Sequence, residues 1–416
     1  MRDTCHQEDA VNAHTVIVGG GISSIRLAER LRRAGDEDPI TIVSEETGLV
    51  YDRPPLSKSV LLDTEPKRPD LTTAAALEDL AVRVIDGRRA VRLDRAHRHV
   101  ELESGERLPY EDLVIATGSR PRRLPVLDGV NPHYLRTWTD ALALRKAVRG
   151  AARVGIVGAG VLGLEIAATS RALGCEVVVI DTAPRVLARL GGQDLSDPVL
   201  ALHRDHGVRF HLDTGIEAAS RDANGAITLR LTDGTERAVD VLVVAAGAVP
   251  VTDWLENSGL AGHDGVETDG GCRTIDDRVY AIGDVARVER HPGRHQRLEH
   301  WTNASDTATI AARNILARRR GEDLSTLTEL PYVWSDQYDV KLQILGRLDA
   351  DSRLLPAVDD PETGRWLRLA ARGQEVTGVV GWNMPAAVNR CRAALMAATP
   401  VHELLETAPW ERKIRG

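Results

Sequence analysis

The sequence predicts an α/β protein with two doubly wound units and a smaller α+β domain at its C-terminal end. The same pattern, a β-branched strand, a glycine-rich turn, an amphipathic helix and a second strand, occurs near residues 15–45 and again near 153–181. After Pro331 the pattern changes to strand-like runs between residues 340 and 382, followed by a helical stretch at 385–396. That change predicts an α+β domain rather than a third doubly wound unit.

Composition and charge exclude several classes of protein. The chain has 416 residues, 43% hydrophobic and 27% charged, which is typical of a globular protein of two or three domains. Its 53 basic and 61 acidic residues give a net charge of −8, which argues against a nucleic-acid partner. No apolar run reaches the roughly 18 residues of a membrane span. The polar N-terminal segment is no signal peptide, so we expect a cytoplasmic protein with no membrane partner.

The first glycine-rich turn has the context that a dinucleotide-binding fingerprint requires. The β-branched run Thr15–Val18 ends at three consecutive glycines beginning at Gly19, and a helical pattern follows. Backbone N–H groups at such a helix start bind a pyrophosphate. Glu45 stands 26 residues after Gly19, at the end of the next strand, where an acid accepts hydrogen bonds from a ribose. Ser24 occupies the third fingerprint position, where glycine or alanine is usual, and is small enough to fit.

The second turn contains all three fingerprint glycines, Gly158, Gly160 and Gly163. Asp181 ends the following strand, 23 residues after Gly158. A carboxylate there pairs with a free 2′-hydroxyl and repels a 2′-phosphate, which favours NADH over NADPH, although two nearby arginines complicate that preference. Two fingerprints in context predict two dinucleotide sites, and the alternative is a duplicated unit with one inactive site.

Three further strands end in turns suited to a flavin. Residues 113–118 and 241–247 each run from a strand into a glycine turn, and residues 279–284 form a strand that ends on Asp284. An acid at the end of a strand, in a chain that already holds a dinucleotide turn, is suited to bind the ribityl hydroxyls of FAD. The order of these segments around the second fingerprint therefore predicts FAD in the first unit.

Several short motifs carry a family resemblance. They are Tyr-Asp-Arg-Pro-Pro-Leu-Ser-Lys at 51–58, Ala-Thr-Gly at 116–118, the second fingerprint, Ala-Ile-Gly-Asp-Val at 281–285, Glu-His-Trp-Thr-Asn-Ala at 299–304 and Trp-Ser-Asp-Gln-Tyr at 334–338. With them the chain resembles the FAD-dependent ferredoxin and rubredoxin reductases that serve bacterial cytochromes P450 and Rieske dioxygenases, relatives of apoptosis-inducing factor. The resemblance runs from about residue 14 to 346 and continues more loosely beyond.

The resemblance implies a glutathione-reductase-like layout with two Rossmann-like dinucleotide-binding domains and a C-terminal reductase domain. The implied ranges are 1–120 and 246–326 for a discontinuous FAD domain, 121–245 for the NADH domain and 327–416 for the C-terminal domain. No metal site is expected, because the histidines and cysteines form no cluster with ligand spacing.

The resemblance also implies cofactor contacts at particular residues. For FAD these are Gly19, Gly21 and Ser23 at the pyrophosphate, Glu45 at the adenosine ribose, Ala90 at the adenine, Asp284 at the ribityl chain, Trp301 at the isoalloxazine, Arg53 and Lys58 in the pocket wall, and Arg136. Further implied cofactor-binding residues are Ala116, Thr117, Gly118, Arg122, Gly158, Gly160, Gly163, Glu165, Asp181 and Gly247.

Three side chains are expected at the reacting centre, namely Lys58, Glu165 and Trp334. Lys58 is one of only five lysines, and a cation near the flavin stabilises the anion formed on reduction; the alternative is a solvated loop lysine. The resemblance places Glu165 near the nicotinamide and within reach of this lysine, and the alternative is an acid that stabilises the first helical turn. Trp334 is implied to stack in the nicotinamide pocket, and its alternative is a core tryptophan.

The resulting hypothesis is a ferredoxin–NAD(+) reductase. NADH reduces FAD, which passes electrons singly to a ferredoxin (or rubredoxin), expected to be an acidic iron–sulfur ferredoxin that binds transiently and supplies a P450 or Rieske oxygenase. A basic docking patch is then expected, unless the arginines form an ordinary solvated surface. The candidates are Arg313, Arg318, Arg319, Arg320, Arg122 and Arg123.

Three other flavoprotein functions are alternatives to this hypothesis. A thiol–disulfide reductase needs a redox cysteine after the first FAD strand, and there is none between Ile40 and Lys58. The four cysteines are scattered, at Cys5, Cys175, Cys272 and Cys391. An NADH oxidase, and a redox-sensing flavoprotein similar to apoptosis-inducing factor, remain as alternatives.

Overall fold

The computed structural model describes residues 14–349 and 352–411, and Cys5 lies outside them. The chain forms two compact units, each built from three separate segments. The first unit takes Met1–Tyr51, Asp70–Ser119 and Pro250–Glu329, and the second takes Asp52–Pro69, Arg120–Val249 and Leu330–Gly416. The segment 52–69 thus packs with the second unit, although it lies between two parts of the first unit in sequence. The division into three domains stays a prediction.

The first unit is organised around a five-stranded parallel sheet. Its strands, in spatial order, are Val279–Ala281, Asp112–Ile115, Thr15–Val18, Ile40–Val43 and Val82–Ile85. The four strands other than Val82–Ile85 are buried throughout, which explains their continuous apolar and β-branched sequence. The helices of this unit are Ile22–Arg33, Ala74–Asp79 and Trp301–Arg320.

An antiparallel sheet of three strands and a mixed sheet of four complete the first unit. One contains the strands Ala90–Asp94, His99–Leu102 and Arg107–Pro109, and the other contains Ala261–Gly262, Gly265–Thr268, Ala286–His291 and Arg294–Arg297. Short 3₁₀ helices cover Asp253–Leu255 and Gly283–Val285. In the large parallel sheet, four strands precede a predicted cofactor turn. These four strands end at the same edge of the sheet, because parallel strands share their direction.

The second unit contains the other doubly wound part. Its parallel sheet has the order Arg209–His211, Glu176–Ile180, Arg153–Val157 and Val241–Val244, and an antiparallel sheet follows with Ile216–Arg221, Ile227–Leu231 and Glu236–Val239. The helices are Ser59–Leu62, Trp138–Arg149, Val161–Ala172 and Gln193–Asp205, with 3₁₀ turns at Pro54–Ser57 and Pro125–Val130. Two short strands, Ser119–Pro121 and Ala248–Pro250, form a separate pair.

The C-terminal part of the second unit is an antiparallel sheet with short helices. The strands, in spatial order, are Tyr332–Gln337, Val340–Gly346, Glu375–Trp382, Arg365–Arg372 and Arg353–Asp360, and the helices are Pro385–Arg390, Arg392–Met396 and Val401–Thr407. This confirms the predicted α+β pattern. The predicted helix at 385–396 is instead two helices that meet at Cys391, whose thiol contacts the carbonyl of Ala387 at 3.3 Å.

Two arginines that were candidates for a docking patch form a buried ion cluster in the first unit. Asp112 is 0% exposed, and its two carboxylate oxygens accept from Arg318 at 2.7 Å and from Arg319 at 2.8 Å. Arg319 also contacts Asp36 and Asp38, both at 3.0 Å. The docking assignment was therefore wrong for Arg318 and Arg319, because a carboxylate this deeply buried needs both cations.

Within residues 14–349 and 352–411, no helix combines the length and the apolar character needed to cross a membrane. The same part of the chain brings together no group of three or more histidine, cysteine, aspartate or glutamate side chains able to hold a metal ion.

Candidate cofactor sites and reacting centre

The first fingerprint forms a tight loop at the carboxyl edge of the large parallel sheet. Gly19 has φ +126°, and a Cβ at this position would lie 2.1 Å from the carbonyl oxygen of Ala116, so only glycine fits. Gly21 is the N-cap of the helix Ile22–Arg33, and a Cβ there would meet nothing within 4 Å. Ser24 donates its hydroxyl hydrogen to the Gly19 carbonyl at 2.5 Å. The loop is therefore closed on its strand side and open in front of the helix.

The helix starts at both fingerprints have no side-chain cap, as is also true of the helices that begin at Gln193 and Trp301. Thr73 and Thr137 cap the helices that follow them with side-chain hydrogen bonds. Gly21 and Gly160 provide no such bond, and neither following helix has an acid in its first turn. The first N–H groups of these helices are left for an anion, which fits a dinucleotide pyrophosphate at each site.

The predicted ribityl-binding acid lies at the same edge as the first loop. Asp284 follows the strand Val279–Ala281, and Ser119 donates to its Oδ2 at 2.9 Å. Ser23 lies close by, since its Oγ is 3.1 Å from the position of a Cβ on Gly283. Glu45 is exposed immediately after its strand, Ile40–Val43. The site thus has a pyrophosphate loop with two carboxylates, Glu45 and Asp284, that are able to accept from the ribose and ribityl hydroxyls of FAD.

Two other predicted FAD contacts in the first unit, Ala90 and Trp301, differ in their exposure to solvent. Ala90 is buried at the start of the strand Ala90–Asp94, and Trp301 is partly exposed at the first position of the helix Trp301–Arg320. The neighbouring His300 has a buried Nδ1 with no hydrogen-bond partner in the described residues, and burial lowers its pKa to about 4. A neutral imidazole with an unused nitrogen is thus available at this helix start.

The turn after Ala116 is fixed within the first unit. Thr117 donates to the carbonyl of Val251 at 2.7 Å, and Gly118 has φ +68°. Because Gly19 packs against the Ala116 carbonyl, this turn and the first fingerprint loop support each other.

The second fingerprint loop is closed at two of its three glycines. Gly158 has φ +114°, and a Cβ there would lie 2.4 Å from the carbonyl oxygen of Ala245. A Cβ on Gly163 would lie 2.0 Å from the carbonyl oxygen of Gly158, whereas one on Gly160 would meet nothing within 4 Å. The third glycine is required here because helix and loop are in contact. Gly247 also has positive φ, at +93°, and its carbonyl accepts from the N–H of Arg122 at 3.0 Å.

Asp181 contacts the second loop directly. Its Oδ2 accepts from the N–H of Ala159 at 2.6 Å, and its Oδ1 accepts from the N–H of Ala183 at 2.7 Å. Each carboxylate oxygen has a further lone pair for a ribose hydroxyl. Asp181 therefore holds the fingerprint loop in place and leaves acceptor capacity for a nucleotide.

We expect the replacement Asp181→Ala to raise the Kd for NADH about tenfold or more, because it removes both the ribose acceptor and the support of the loop. The dependence of the anaerobic single-turnover flavin reduction rate on NADH concentration gives this Kd. Asp205→Ala, at an exposed position of the same unit, is the matched control and should leave the Kd unchanged. An unchanged Kd for Asp181→Ala would remove Asp181 from the NADH site.

Lys58 and Glu165 meet in a polar cluster of the second unit. Glu165 is 5% exposed, and its Oε1 lies 3.0 Å from Lys58 Nζ. Ser57 donates to Oε2 at 2.6 Å, and Ser335 donates to Oε1 at 2.8 Å. The helix begins at Val161, so the expectation that Glu165 belongs to its first turn was wrong. Its position is explained by these partners and not by the helix dipole.

The chain belongs to a known family of flavoprotein reductases by two independent matches. Residues 13–308 match the pyridine nucleotide-disulphide oxidoreductase family, and residues 332–406 match the reductase C-terminal family. The chain is 40% identical over 342 residues to the anthranilate 1,2-dioxygenase system ferredoxin–NAD(+) reductase component of Burkholderia cepacia, covering 80% of this chain and 82% of that protein. This chain is a member of the pyridine nucleotide-disulphide oxidoreductase family, in its ferredoxin reductase branch.

Solved structures place the fold of the reductase in the same branch. A ferredoxin reductase for the CYP199A2 system from Rhodopseudomonas palustris has a TM-score of 0.88 and 30% identity, with 96% of this chain and 100% of that chain covered. Putidaredoxin reductase in its covalent complex with putidaredoxin has a TM-score of 0.86 and 29% identity, with 95% of both chains covered. The predicted fold class, family, oxidoreductase chemistry and cofactors FAD and NADH are thereby confirmed.

Three more predicted residues of the reductase's second unit are Arg53, Arg136 and Trp334. Arg53 donates from its guanidinium to the backbone carbonyl of Arg136, which joins two of the predicted FAD arginines. Trp334 is partly exposed on the strand Tyr332–Gln337 and stacks on Tyr332, with 6.0 Å between the ring centroids.

Sequence reasoning missed several polar residues of the reductase that surround Glu165. Ser57, Ser335 and Gln337 belong to the two most specific motifs, yet only Lys58 and Trp334 of those motifs were singled out. His203 was interpreted as a surface or core residue without a role, and it is 0% exposed, 2.8 Å from Gln337 Oε1. The available signal was the spacing of Ser335 and Gln337, two residues apart on one strand and so on the same face, where buried polar groups need partners.

Proposed function

We propose that this reductase supplies an oxygenase system by passing electrons from NADH, through FAD, to an iron–sulfur ferredoxin. The proposal assigns FAD to the first fingerprint and NADH to the second. It is supported most directly by the polar cluster at Lys58, where a cation paired with a buried carboxylate stands in place of a redox cysteine. The relatives named as ferredoxin–NAD(+) reductase components and the putidaredoxin complex agree with this assignment.

Bound FAD would supply the redox chemistry, since a flavin accepts an electron pair as hydride and releases electrons singly. The chain's own residues bind and orient. The uncapped helix starts after Gly21 and Gly160 bind the two pyrophosphates, and Asp181 fixes the second loop. Lys58 provides a positive charge whose position is set by Glu165 and by the Pro54 carbonyl, to which it donates at 3.2 Å. A fixed charge of this kind stabilises an anion that develops on reduction.

The decisive experiment is steady-state NADH oxidation by the FAD-loaded reductase with and without a bacterial [2Fe–2S] ferredoxin. The proposal expects NADH to bleach the visible flavin absorbance, and turnover to rise with ferredoxin concentration until it saturates. NADPH should bleach the flavin far less effectively, because Asp181 repels a 2′-phosphate.

Other outcomes of this experiment identify the alternative functions. Turnover that is fast with oxygen alone, and unchanged by ferredoxin, would instead make the protein an NADH oxidase. Slow turnover with both acceptors, together with an NADH-dependent change in self-association, would make it a redox sensor. Either result would overturn the proposed electron transfer to ferredoxin.

We further propose that the ferredoxin is acidic, binds transiently and meets an arginine-bearing face of the first unit. Arg313 and Arg320 are both exposed on the helix Trp301–Arg320. They are seven residues apart, so they lie on one side of the helix. Arg122 and Arg123 are also exposed but belong to the second unit, where the Arg123 guanidinium lies 5.3 Å from the ring centroid of Tyr134, so they are not part of this face.

Reversing the charge of Arg313 with Arg313→Glu is expected to raise the KM for ferredoxin about tenfold at low ionic strength, because it places repulsion on the docking face. The rate with ferricyanide, which needs no docking surface, should stay unchanged. Arg107→Glu makes the same change at another exposed site of this unit and serves as the control. Equal effects of the two variants would indicate net charge alone and would contradict a docking role for Arg313.

A cytoplasmic location belongs to the same proposal. Cys175, Cys272 and Cys391 are buried free thiols, as is usual in a reducing compartment. The remaining cysteine, Cys5, lies outside the described residues.

A further inference from the structure

A chain of hydrogen bonds runs from the interior of the second unit to the Glu165 carboxylate. Ser335 donates to Oε1 at 2.8 Å, next to Lys58 Nζ at 3.0 Å on the same oxygen. The hydroxyl of Ser335 has one hydrogen, and the carboxylate takes it. The Ser335 oxygen can therefore only accept from its other neighbour, Gln337, whose Nε2 lies 2.9 Å away.

The orientation of the Gln337 amide follows from this bond. With Nε2 turned to Ser335, the carbonyl oxygen Oε1 faces His203 Nε2 at 2.8 Å. A reversed amide would place two acceptors together at Ser335, whose single hydrogen is taken by Glu165, so the Ser335 end fixes the orientation. Since Oε1 can only accept, His203 carries its hydrogen on Nε2.

The state of His203 is consistent with this direction. The side chain is 0% exposed, and burial lowers its pKa to about 4, so the ring is neutral near pH 7. Nδ1 then holds a lone pair and accepts from the Tyr338 hydroxyl at 3.3 Å. Tyr338 in turn stacks on His206, with 3.6 Å between ring centroids, and covers this end of the chain.

We infer that His203, Gln337 and Ser335 are positioning residues for hydride transfer, which hold the Glu165 carboxylate, and through it Lys58, in the geometry that the reaction needs. Each bond in the chain donates toward Glu165, so the order Tyr338, His203, Gln337, Ser335 has a single direction. Hydrogen bonds aligned in this way strengthen one another in a low-dielectric interior. The inference rests on the proposed function only in placing Lys58 and Glu165 at the flavin–nicotinamide contact.

The chain orients a side chain and does not conduct protons. A Gln337 amide in the middle of the path donates one hydrogen and accepts another. It passes no proton onward unless it changes to a high-energy tautomer. The expected effect of breaking the chain is therefore a slower reaction at saturating NADH, with no loss of NADH binding.

The test measures anaerobic flavin reduction by NADH in single turnover, using FAD-loaded protein and no ferredoxin. Three variants are compared with the wild type. His203→Phe keeps the ring volume and removes the donor, and His203→Gln restores an N–H near the position of Nε2. Ser335→Ala removes the last donor of the chain. The matched control is Ser196→Ala. Ser196 is a buried serine on the helix that also carries His203, Gln193–Asp205, and its hydroxyl has no partner in the described residues.

We expect Ser335→Ala to slow the limiting reduction rate about tenfold, which corresponds to one hydrogen bond to a charged acceptor. His203→Phe should slow it about threefold to tenfold, and His203→Gln should recover most of the rate. The NADH concentration at half saturation should match the wild type in every variant. The thermal stability of the Ser196→Ala control should also match the wild type. The double variant His203→Phe/Ser335→Ala should be no slower than Ser335→Ala alone, because the histidine acts through the serine.

Three results would overturn the inference. They are an unchanged limiting rate in His203→Phe, effects of the two variants that multiply in the double variant, and equal losses in His203→Gln and His203→Phe. A wild-type flavin that NADH does not reduce would overturn the proposed function as well. Wild-type reduction by NADH without transfer to ferredoxin would overturn the ferredoxin assignment alone and leave the positioning role supported by the same rates.

Discussion

Replacing Gly163 with serine is expected to raise the Kd of the reductase for NADH about 100-fold while leaving FAD bound. A Cβ at this position would lie 2.0 Å from the carbonyl oxygen of Gly158, so the loop of the second fingerprint must move. A displacement of about 1 Å in a binding group typically costs two orders of magnitude. The dependence of the anaerobic flavin reduction rate on NADH concentration gives the Kd, and the absorbance of released flavin gives the FAD content.

The first fingerprint provides a matched control, because it already has a serine at the equivalent position. Ser24 is 0% exposed, and its hydroxyl donates to the Gly19 carbonyl at 2.5 Å. Here the helix and the loop are held apart by one side chain and joined by its hydrogen bond. Ser24→Gly should therefore retain FAD and lower the free energy of unfolding by about 1–2 kcal/mol, from a lost hydrogen bond and a helical glycine.

The two variants together test which fingerprint serves which nucleotide. Dithionite, which needs no nucleotide site, should reduce the flavin of Gly163→Ser completely. If Gly163→Ser lost FAD and still bound NADH, the assignment of the two sites would be reversed.

The second large effect concerns the buried ion cluster around Asp112. We expect Arg319→Met to lower the free energy of unfolding by about 3–5 kcal/mol, because it leaves buried carboxylates with too few cations. Arg319 contacts Asp112, Asp36 and Asp38, at 2.8, 3.0 and 3.0 Å. Urea denaturation of the FAD-loaded protein, followed by circular dichroism, measures the change. Arg320→Met, the exposed neighbour, should stay within about 0.5 kcal/mol of the wild type.

The destabilisation by Arg319→Met should also depend on pH. Burial raises the pKa of the Asp36 carboxyl, and the charge of Arg319 opposes that rise. Without Arg319 the pKa of Asp36 rises further, and a protonated Asp36 no longer needs a cation. An acid whose pKa is raised on folding favours the folded state more as the pH falls. The loss should therefore be largest near neutral pH and smaller in mild acid, and a loss that grows in acid would contradict this role of Asp36.

The local signals in the sequence were sufficient for the two doubly wound parts. The helix Ile22–Arg33 and the strands Arg153–Val157 and Glu176–Ile180 begin and end where the glycine turns and β-branched runs predict. These elements depend on residues close in sequence, where steric rules are strong. The sequence also predicted that Ser24 fits the third fingerprint position, although it did not predict the hydrogen bond from Ser24 to Gly19.

What the sequence did not reveal depends on distant partners. Ser335 and Glu165 are 170 residues apart, and His203 and Gln337 are 134 apart, so no local pattern links them. The sequence predicts Arg318 and Arg319 at the surface, because an arginine-rich chain gives no sign of which arginines are buried. Their burial is decided by Asp112, at the start of a strand about 200 residues earlier.

The interleaving of the two units also bears on how the protein is made. The first unit takes a strand of its large sheet from Val279–Ala281 and a helix from Trp301–Arg320, while the second unit already contains residues 52–69. A ribosome therefore releases incomplete portions of both units for most of translation, and neither can close its core early. We therefore expect both units to complete their cores only late in synthesis, and an N-terminal fragment that ends before Val279 would lack a strand of the large sheet.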